Sequence, residues 1–163
     1  MNRKKISAAD RVRLIQNEVF GATIIYEAAK SFHKTSEKMR GIPLASALMI
    51  LPVVLDDKFS TELSARKTST ALFRVIVENP NLRVGFQKRL QNFANLSCRA
   101  IHLGLNSGLL KYDLSKNEIL PGKVKGFRKI EKNDRLAKAS RRFGEGSFYL
   151  GINQLSNLLE VRF

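Results

Sequence analysis

The sequence predicts a mainly α-helical protein: a helical N-terminal part, a winged-helix-like module of three helices and a β-hairpin wing, and C-terminal helices. Three observations predict this class. Apolar residues recur at helical spacing along most of the chain. The last helix pattern of the module, Leu96–Asn106, is followed by Gly108, which can end a helix. Two short strand patterns, LLKYDL and EILPG, come next, joined by a short polar link.

The N-terminal part, residues 1–58, begins with a long helix predicted from about Ala8 to Phe32, with Ser7 as its cap. No charge occurs between Glu18 and Glu27, and apolar side chains cover most of the helix circumference, so this helix must be enclosed. Gly21 costs about 1 kcal/mol relative to Ala inside a helix. It therefore indicates close packing there, either within the chain or against a partner.

An uncharged run, residues 41–55, follows in the N-terminal part. It predicts apolar helix turns interrupted at Pro52, because proline suits the first turn of a new helix better than an interior. The run is too short to span a bilayer as a helix. We therefore expect a buried core segment.

The winged-helix-like module covers residues 59–125. Its first helix starts between Ser60 and Ser69, buries Leu72, Val75 and Ile76, and stops at Asn79-Pro80. Its second and third helices are predicted over 82–91, burying Leu82, Phe86 and Leu90, and over 96–106. The third helix carries a stripe of Arg99, His102 and Asn106. Only Arg99 in this stripe is certain to be charged, and sequence-specific recognition of bases usually needs several Arg, Lys, Asn or Gln side chains. The stripe therefore favours contact with a protein.

The C-terminal part, residues 126–163, is predicted to hold a basic helix and a docking helix, within one compact unit overall. A dense set of basic residues lies in and just before this part. These residues can bind the phosphates of DNA without recognising its sequence, or they can simply form a solvent-exposed helix face. The predicted DNA-binding residues are Lys123, Lys125, Arg128, Lys129, Lys132, Arg135, Lys138 and Arg142. Ser147 is the predicted cap of a last helix, which presents Phe148, Ile152, Leu155 and Leu159 at core spacing. The apolar end at Phe163 should dock within the fold or on another subunit.

Composition indicates an acidic partner, because 29 Lys and Arg against 14 Asp and Glu leave a formal charge of +15. The single cysteine, Cys98, allows no intramolecular disulfide, and the N-terminus lacks an apolar signal core. We therefore expect a cytoplasmic protein that does not bind membranes.

Motifs for catalysis are missing from the sequence: there is no P-loop, no Gly-rich phosphate loop and no cysteine pair for zinc. His33 and His102 stand far apart, and neither has a carboxylate pattern nearby. The adjacent Asp56 and Asp57 are better explained by a turn or a helix cap than by a metal site. The expectation is a protein that is not an enzyme and has no cofactor, metal or catalytic residues.

A scattered pattern of short segments resembles the middle component of prokaryotic three-component ABC-ATPase systems, the family that includes the accessory subunit of Lamassu-type defence complexes. The segments span nearly the whole chain: 17–22 (NEVFGA), 41–44 (GIPL), 51–55 (LPVVL), 78–80 (ENP) with Phe86 and Arg89, 108–110 (GLL), 136–143 and 158–163. The resemblance implies a kleisin-like, non-catalytic bridge between an SMC-like ABC ATPase and an effector nuclease. It implies DNA sensing by the complex in defence against phages and plasmids.

Partner contacts of such a bridge are expected at apolar and exposed positions. The predicted partner-binding residues are Phe20, Gly21, Arg99, His102, Asn106, Phe148 and Phe163. Two other classes remain open on the sequence. A winged-helix transcription regulator would bind one DNA sequence tightly in isolation, and a cryptic nuclease would cleave DNA with a metal ion.

Overall fold

The computed structural model describes residues 17–67, 69–123 and 134–163. In these ranges six α-helices pack around a shared apolar core beside one small antiparallel sheet, which confirms the predicted mainly α class. The helices are α1 Glu18–Thr35, α2 Leu44–Val54, α3 Asp57–Ala65, α4 Ala71–Glu78, α5 Phe86–Asn106 and α6 Arg135–Leu159. The strands are β1 Ile42–Pro43, β2 Leu110–Asp113 and β3 Glu118–Pro121.

Helix α1 is the centre of the fold, packed along α6 and α5. Its uncharged stretch is buried as predicted, with Ile24, Ile25 and Ala28 fully enclosed. The helix starts later than predicted. Asn17 adopts an extended conformation and its side chain accepts hydrogen bonds from the backbone N–H groups of Val19 and Phe20, at 2.9 and 3.3 Å. Because Asn17 itself is not helical, a single helix cannot run from Ala8 to Phe32. Residues 8–16 lie outside the described ranges.

The uncharged run forms β1 and α2, and it is buried as expected. Pro52 lies inside α2, which corrects the prediction that a new helix begins there. The position is tolerable because α2 ends at Val54, so proline removes a hydrogen bond only near the end of the helix.

Helices α3 to α5 differ from the predicted three-helix body in two places. The polar stretch after Asp56 is itself a helix, α3, because the Asp56 carboxylate accepts from Phe59 N at 2.7 Å and caps it. The helices predicted over 82–91 and 96–106 form one helix, α5, which starts only at Phe86 because Gly85 before it is left-handed, with φ 69°; Leu82 ends a separate 3-10 turn. No Gly or Pro separates the two predicted helices, and Phe93 and Leu96 pack against the core across the supposed break. The buried positions Leu72, Val75, Ile76, Leu82, Phe86 and Leu90 are confirmed.

The predicted hairpin is confirmed as β2 and β3, paired antiparallel with Tyr112 opposite Ile119. A third strand was not predicted: β1 pairs with the other edge of β3, and the sheet order is β1-β3-β2. Two residues are too short a pattern to recognise in sequence. The hairpin is therefore joined to the N-terminal part of the chain as well as to α5.

Helix α6 is capped by Asp134, whose carboxylate accepts from the backbone N–H groups of Leu136 and Ala137. Ser147 does not cap a separate helix, which corrects that prediction: it is buried inside α6 and donates to Gly144 O at 3.0 Å. The interruption falls instead at Gly151, with φ 69° and ψ 162°. This conformation is essentially restricted to glycine. In the described part of the chain, no helix combines the length and apolar character needed to cross a membrane.

Candidate functional site

The stripe predicted for partner contact on α5 lies on the surface. Arg99, His102 and Asn106 are all exposed. The guanidinium Nε of Arg99 lies 3.1 Å from a Glu18 carboxylate oxygen, which links α5 to the start of α1. The Asn106 amide nitrogen lies 3.3 Å from the His102 ring. The side chains of this stripe therefore contact neighbouring polar groups of the fold.

The remaining predicted partner residues divide between core and surface. Gly21 is buried, and a Cβ there would lie 3.0 Å from Ala100 Cβ and 3.3 Å from a Leu51 methyl. The close approach is thus internal, the first of the two alternatives that the sequence left open for Gly21. Phe20 is half-buried against the core.

Two predicted contacts lie towards the C-terminus. Phe148 is half-buried, and its ring meets Phe32 edge to face at 5.5 Å between centroids. Phe163 is 65% exposed. The tail before it docks within the fold, because Gln87 exchanges two hydrogen bonds with the backbone of Arg162 and Val161 is buried.

The predicted DNA-binding residues fall into two sets. Lys125, Arg128, Lys129 and Lys132 lie outside the described ranges. Lys123 is exposed after β3. Arg135, Lys138 and Arg142 occupy α6, where Arg135 reaches Asp57 of α3 at 2.6 Å and Arg142 reaches Glu145 at 2.7 Å.

The structure adds cations from another part of the chain to those of α6. Arg66 and Lys67, which follow α3, face the first half of α6 across a cleft of about 420 Å³. We call this the basic cleft; its lining residues are Ser31, Ser64, Ala65, Arg66, Lys67, Lys138, Arg141, Arg142 and Glu145. The DNA-binding residues predicted from sequence do not include Arg66, Lys67 or Arg141. Arg66 and Lys67 are about seventy residues from α6 in sequence, and only tertiary packing brings them there.

Carboxylates hold the arginines of the basic cleft in place. Arg141 reaches the buried Glu27 of α1 at 2.9 Å. Arg66 donates to Glu78 of α4 at 2.5 Å, and this hydrogen bond holds the pKa of the Glu78 carboxyl below its ordinary value. Among the described residues, Lys67 and Lys138 make no ion pair. The lining thus carries five cations and one carboxylate, an arrangement that favours an anionic ligand.

A second concavity, which we call the apolar pocket, follows directly along α6. It measures about 250 Å³ and lies between α4 and the part of α6 around Gly151. Phe73 and Tyr149 are its large side chains, and they are 39% and 61% exposed. Its lining residues are Ser69, Thr70, Phe73, Gly146, Tyr149, Leu150 and Gln154. One feature of the sequence indicates this pocket: Phe73 is apolar but lies outside the buried stripe of Leu72, Val75 and Ile76, so its side chain is left on the surface.

Side chains typical of metal sites do not converge in the described ranges, where no group of three His, Cys, Asp or Glu could hold a metal ion. The ring Nδ1 of His33 lies 2.8 Å from Arg40 O, a contact that fastens the turn after α1. Asp56 acts as a helix cap, as expected. The two candidate binding surfaces in the described ranges are therefore the basic cleft and the apolar pocket.

Comparison with known protein families gives one match. The family model described as ABC-three component (ABC-3C) system Middle Component 3 matches residues 7–163. No curated protein and no solved structure matches the chain.

Proposed function

Because the chain belongs to the Middle Component 3 family of ABC-three component systems, we propose that it is a non-catalytic, kleisin-like accessory subunit. In this role it links an SMC-like ABC ATPase to an effector nuclease in Lamassu-type defence against phages and plasmids. A middle component belongs to a multi-component ABC system, so its partners are other components of that system. The family match over residues 7–163 carries the proposal.

The surface chemistry supports contact with proteins. Phe73 and Tyr149 leave apolar area exposed at the apolar pocket, and exposed aromatic side chains are typical anchors of protein interfaces. The α5 stripe supports the same role. Its single arginine is already paired with Glu18, whereas base readout needs arginine or amide groups directed into a groove.

DNA enters the proposal through the complex. The basic residues from Lys123 to Lys132 contact phosphates of DNA held by the ATPase, independently of sequence. The subunit thereby assists DNA sensing, and foreign DNA sensed by the complex assembles or releases the effector. The chain itself neither hydrolyses ATP nor cleaves DNA.

Co-expression with the ATPase and the effector encoded beside this chain tests the bridging role. We expect an affinity tag on this subunit to recover both proteins at moderate salt. In the matched control the tag is on the effector and this chain is left out, and we expect the ATPase to be absent from the recovered material.

Two outcomes would overturn the proposal. Recovery of this chain alone, folded and binding one DNA sequence tightly, would instead favour a winged-helix transcription regulator. Cleavage of DNA by the pure chain with Mg²⁺ or Mn²⁺ would show that it is an enzyme.

A further inference from the structure

We propose that the basic cleft and the apolar pocket together bind an acidic, amphipathic segment of a partner protein. We call the two concavities together the α6 groove. The inference rests on the proposed function in one respect: the partner is another component of the same ABC system.

Consecutive stretches of α6 line the two concavities. Glu145, which lines the basic cleft, is adjacent in sequence to Gly146, which lines the apolar pocket. On the opposite wall, Lys67 of the cleft is two residues before Ser69 of the pocket. Residues 138, 142, 145 and 149 of α6 follow one another at helical spacing and share one face. The α6 groove therefore has a cationic half and an apolar half in a fixed order.

The length of the α6 groove suits a short peptide segment. Tyr149 lies eleven positions after Lys138 in α6, and both precede the interruption at Gly151. At about 1.5 Å per residue this span is roughly 16 Å, the length of about three helical turns. An amphipathic helix of that length can place acidic side chains at one end and an apolar anchor at the other.

The cationic half is prepared for carboxylates. Arg141 and Arg66 are held by Glu27 and Glu78, so a ligand need not order these long side chains itself. Lys67 and Lys138 are exposed and make no ion pair among the described residues. Carboxylates of a partner segment can pair with them at the cost of ordering two lysines.

The apolar half distinguishes a peptide from nucleic acid. The apolar pocket offers Phe73, Tyr149 and Leu150, and burying them stabilises an apolar side chain of a ligand but no phosphate. Glu145, at the junction of the halves, already pairs with Arg142, so a phosphate backbone that continues along the groove finds no free cation there among the described residues. A single protein segment with acidic residues followed by an apolar anchor satisfies both halves.

Site-specific crosslinking in the assembled complex tests the inference. The photo-crosslinker p-benzoylphenylalanine replaces Lys138 in one variant and Tyr149 in another, each co-expressed with the ATPase and the effector. After irradiation, we expect both variants to crosslink to one segment of one partner. In that segment, Asp and Glu side chains lie next to an apolar residue.

Other crosslinking outcomes overturn the inference. Crosslinks from Lys138 to DNA, crosslinks from the two positions to different partners, or an assembled complex with neither crosslink would each do so. These results leave the proposed function intact. If no complex assembles even around the unmodified chain, the proposed function fails and the inference fails with it.

Substitutions in the α6 groove test the inference independently, through the amount of partner protein recovered with each variant. The pair Lys67→Glu and Lys138→Glu should weaken recovery of the partner about tenfold, as expected for reversed charges in an interface. Tyr149→Ser should weaken it about fivefold, because the aromatic anchor is removed. Matched controls outside the groove are Lys88→Glu with Lys111→Glu, and Val84→Ser, all exposed residues. Equal recovery with groove and control variants would contradict the inference.

Discussion

At the scale of single residues, Glu118 shows how a buried charge fixes the hairpin. Its carboxylate, in a residue only 2% exposed, accepts from Arg40 Nε at 3.0 Å, from Arg40 Nη2 at 2.8 Å and from Gly41 N at 2.8 Å. These contacts lie where β1 pairs with β3. Nothing in the sequence indicates this pairing, because the partners are nearly eighty residues apart and the local pattern at Glu118 is that of an ordinary strand residue.

Glu118→Gln should lower the free energy of unfolding by about 2 kcal/mol, because the buried site loses the charge that pairs with Arg40. The expected change is smaller than that for a fully buried pair since the Arg40 side chain is 56% exposed. Urea denaturation followed by circular dichroism measures the change.

The control for Glu118 is Glu18→Gln, which breaks the exposed pair with Arg99 and should cost about 0.5 kcal/mol or less. Equal losses for the two variants would show that burial of Glu118 contributes nothing to the hairpin's attachment.

At the scale of elements, the crossing of α6 with its neighbours depends on glycines. A Cβ on Gly144 would lie 2.1 Å from Ala28 O of α1, and one on Gly146 would lie 2.4 Å from Leu72 Cβ of α4. Real side chains do not approach so closely, so both crossings require the missing methyl group. These contacts place the first half of α6 against α1 and α4, and they thereby set the walls of the α6 groove.

Gly144→Ala should therefore destabilise the protein by about 2 kcal/mol, even though alanine is intrinsically the better helix former by about 1 kcal/mol. Thermal and urea unfolding measure the loss. The comparison is Gly85→Ala, where φ is 69° but nothing lies within 4 Å, so strain alone should cost about 1 kcal/mol. A gain in stability for Gly144→Ala would mean that α1 and α6 do not cross at this point.

At the scale of the whole molecule, the formal charge of +15 predicts weak, salt-sensitive attraction to any polyanion. In the described ranges, ion pairs with acidic residues neutralise part of this positive charge, among others at Arg66, Arg135, Arg141 and Arg142. Long-range attraction and local recognition are thus separate properties, one from net charge and the other from the position of side chains.

Charge reversal of Lys123, Lys129 and Lys132 should weaken DNA binding by the assembled complex without releasing the subunit. For every phosphate that these lysines no longer neutralise, the slope of log affinity against log salt should become shallower by about 1. Fluorescence anisotropy with one duplex at several salt concentrations measures the slope. The control is reversal of Lys34, Lys88 and Lys111, which are exposed elsewhere; an equal effect would show that net charge alone acts.

The sequence by itself determined the mainly helical class, the enclosed helix α1, the buried segment of α2 and the hairpin. Each depends on local periodicity or on turn residues that act within a few positions. The resemblance in short scattered segments also indicated the family that the match over residues 7–163 shows. The sequence did not determine all helix boundaries: α5 is one helix and not two, because Phe93 and Leu96 both pack against the core and the helix continues through the residues between them.

Only the tertiary structure decided which surfaces come together. The basic cleft joins Arg66 and Lys67 to α6, β1 pairs with β3, and Glu118 pairs with Arg40. Each of these contacts links residues far apart in sequence, so no local pattern records them. The same holds for Gly21, whose close neighbours Ala100 and Leu51 lie inside the fold. Sequence periodicity tells which face of an element is apolar, whereas the packing of the whole chain decides what that face meets.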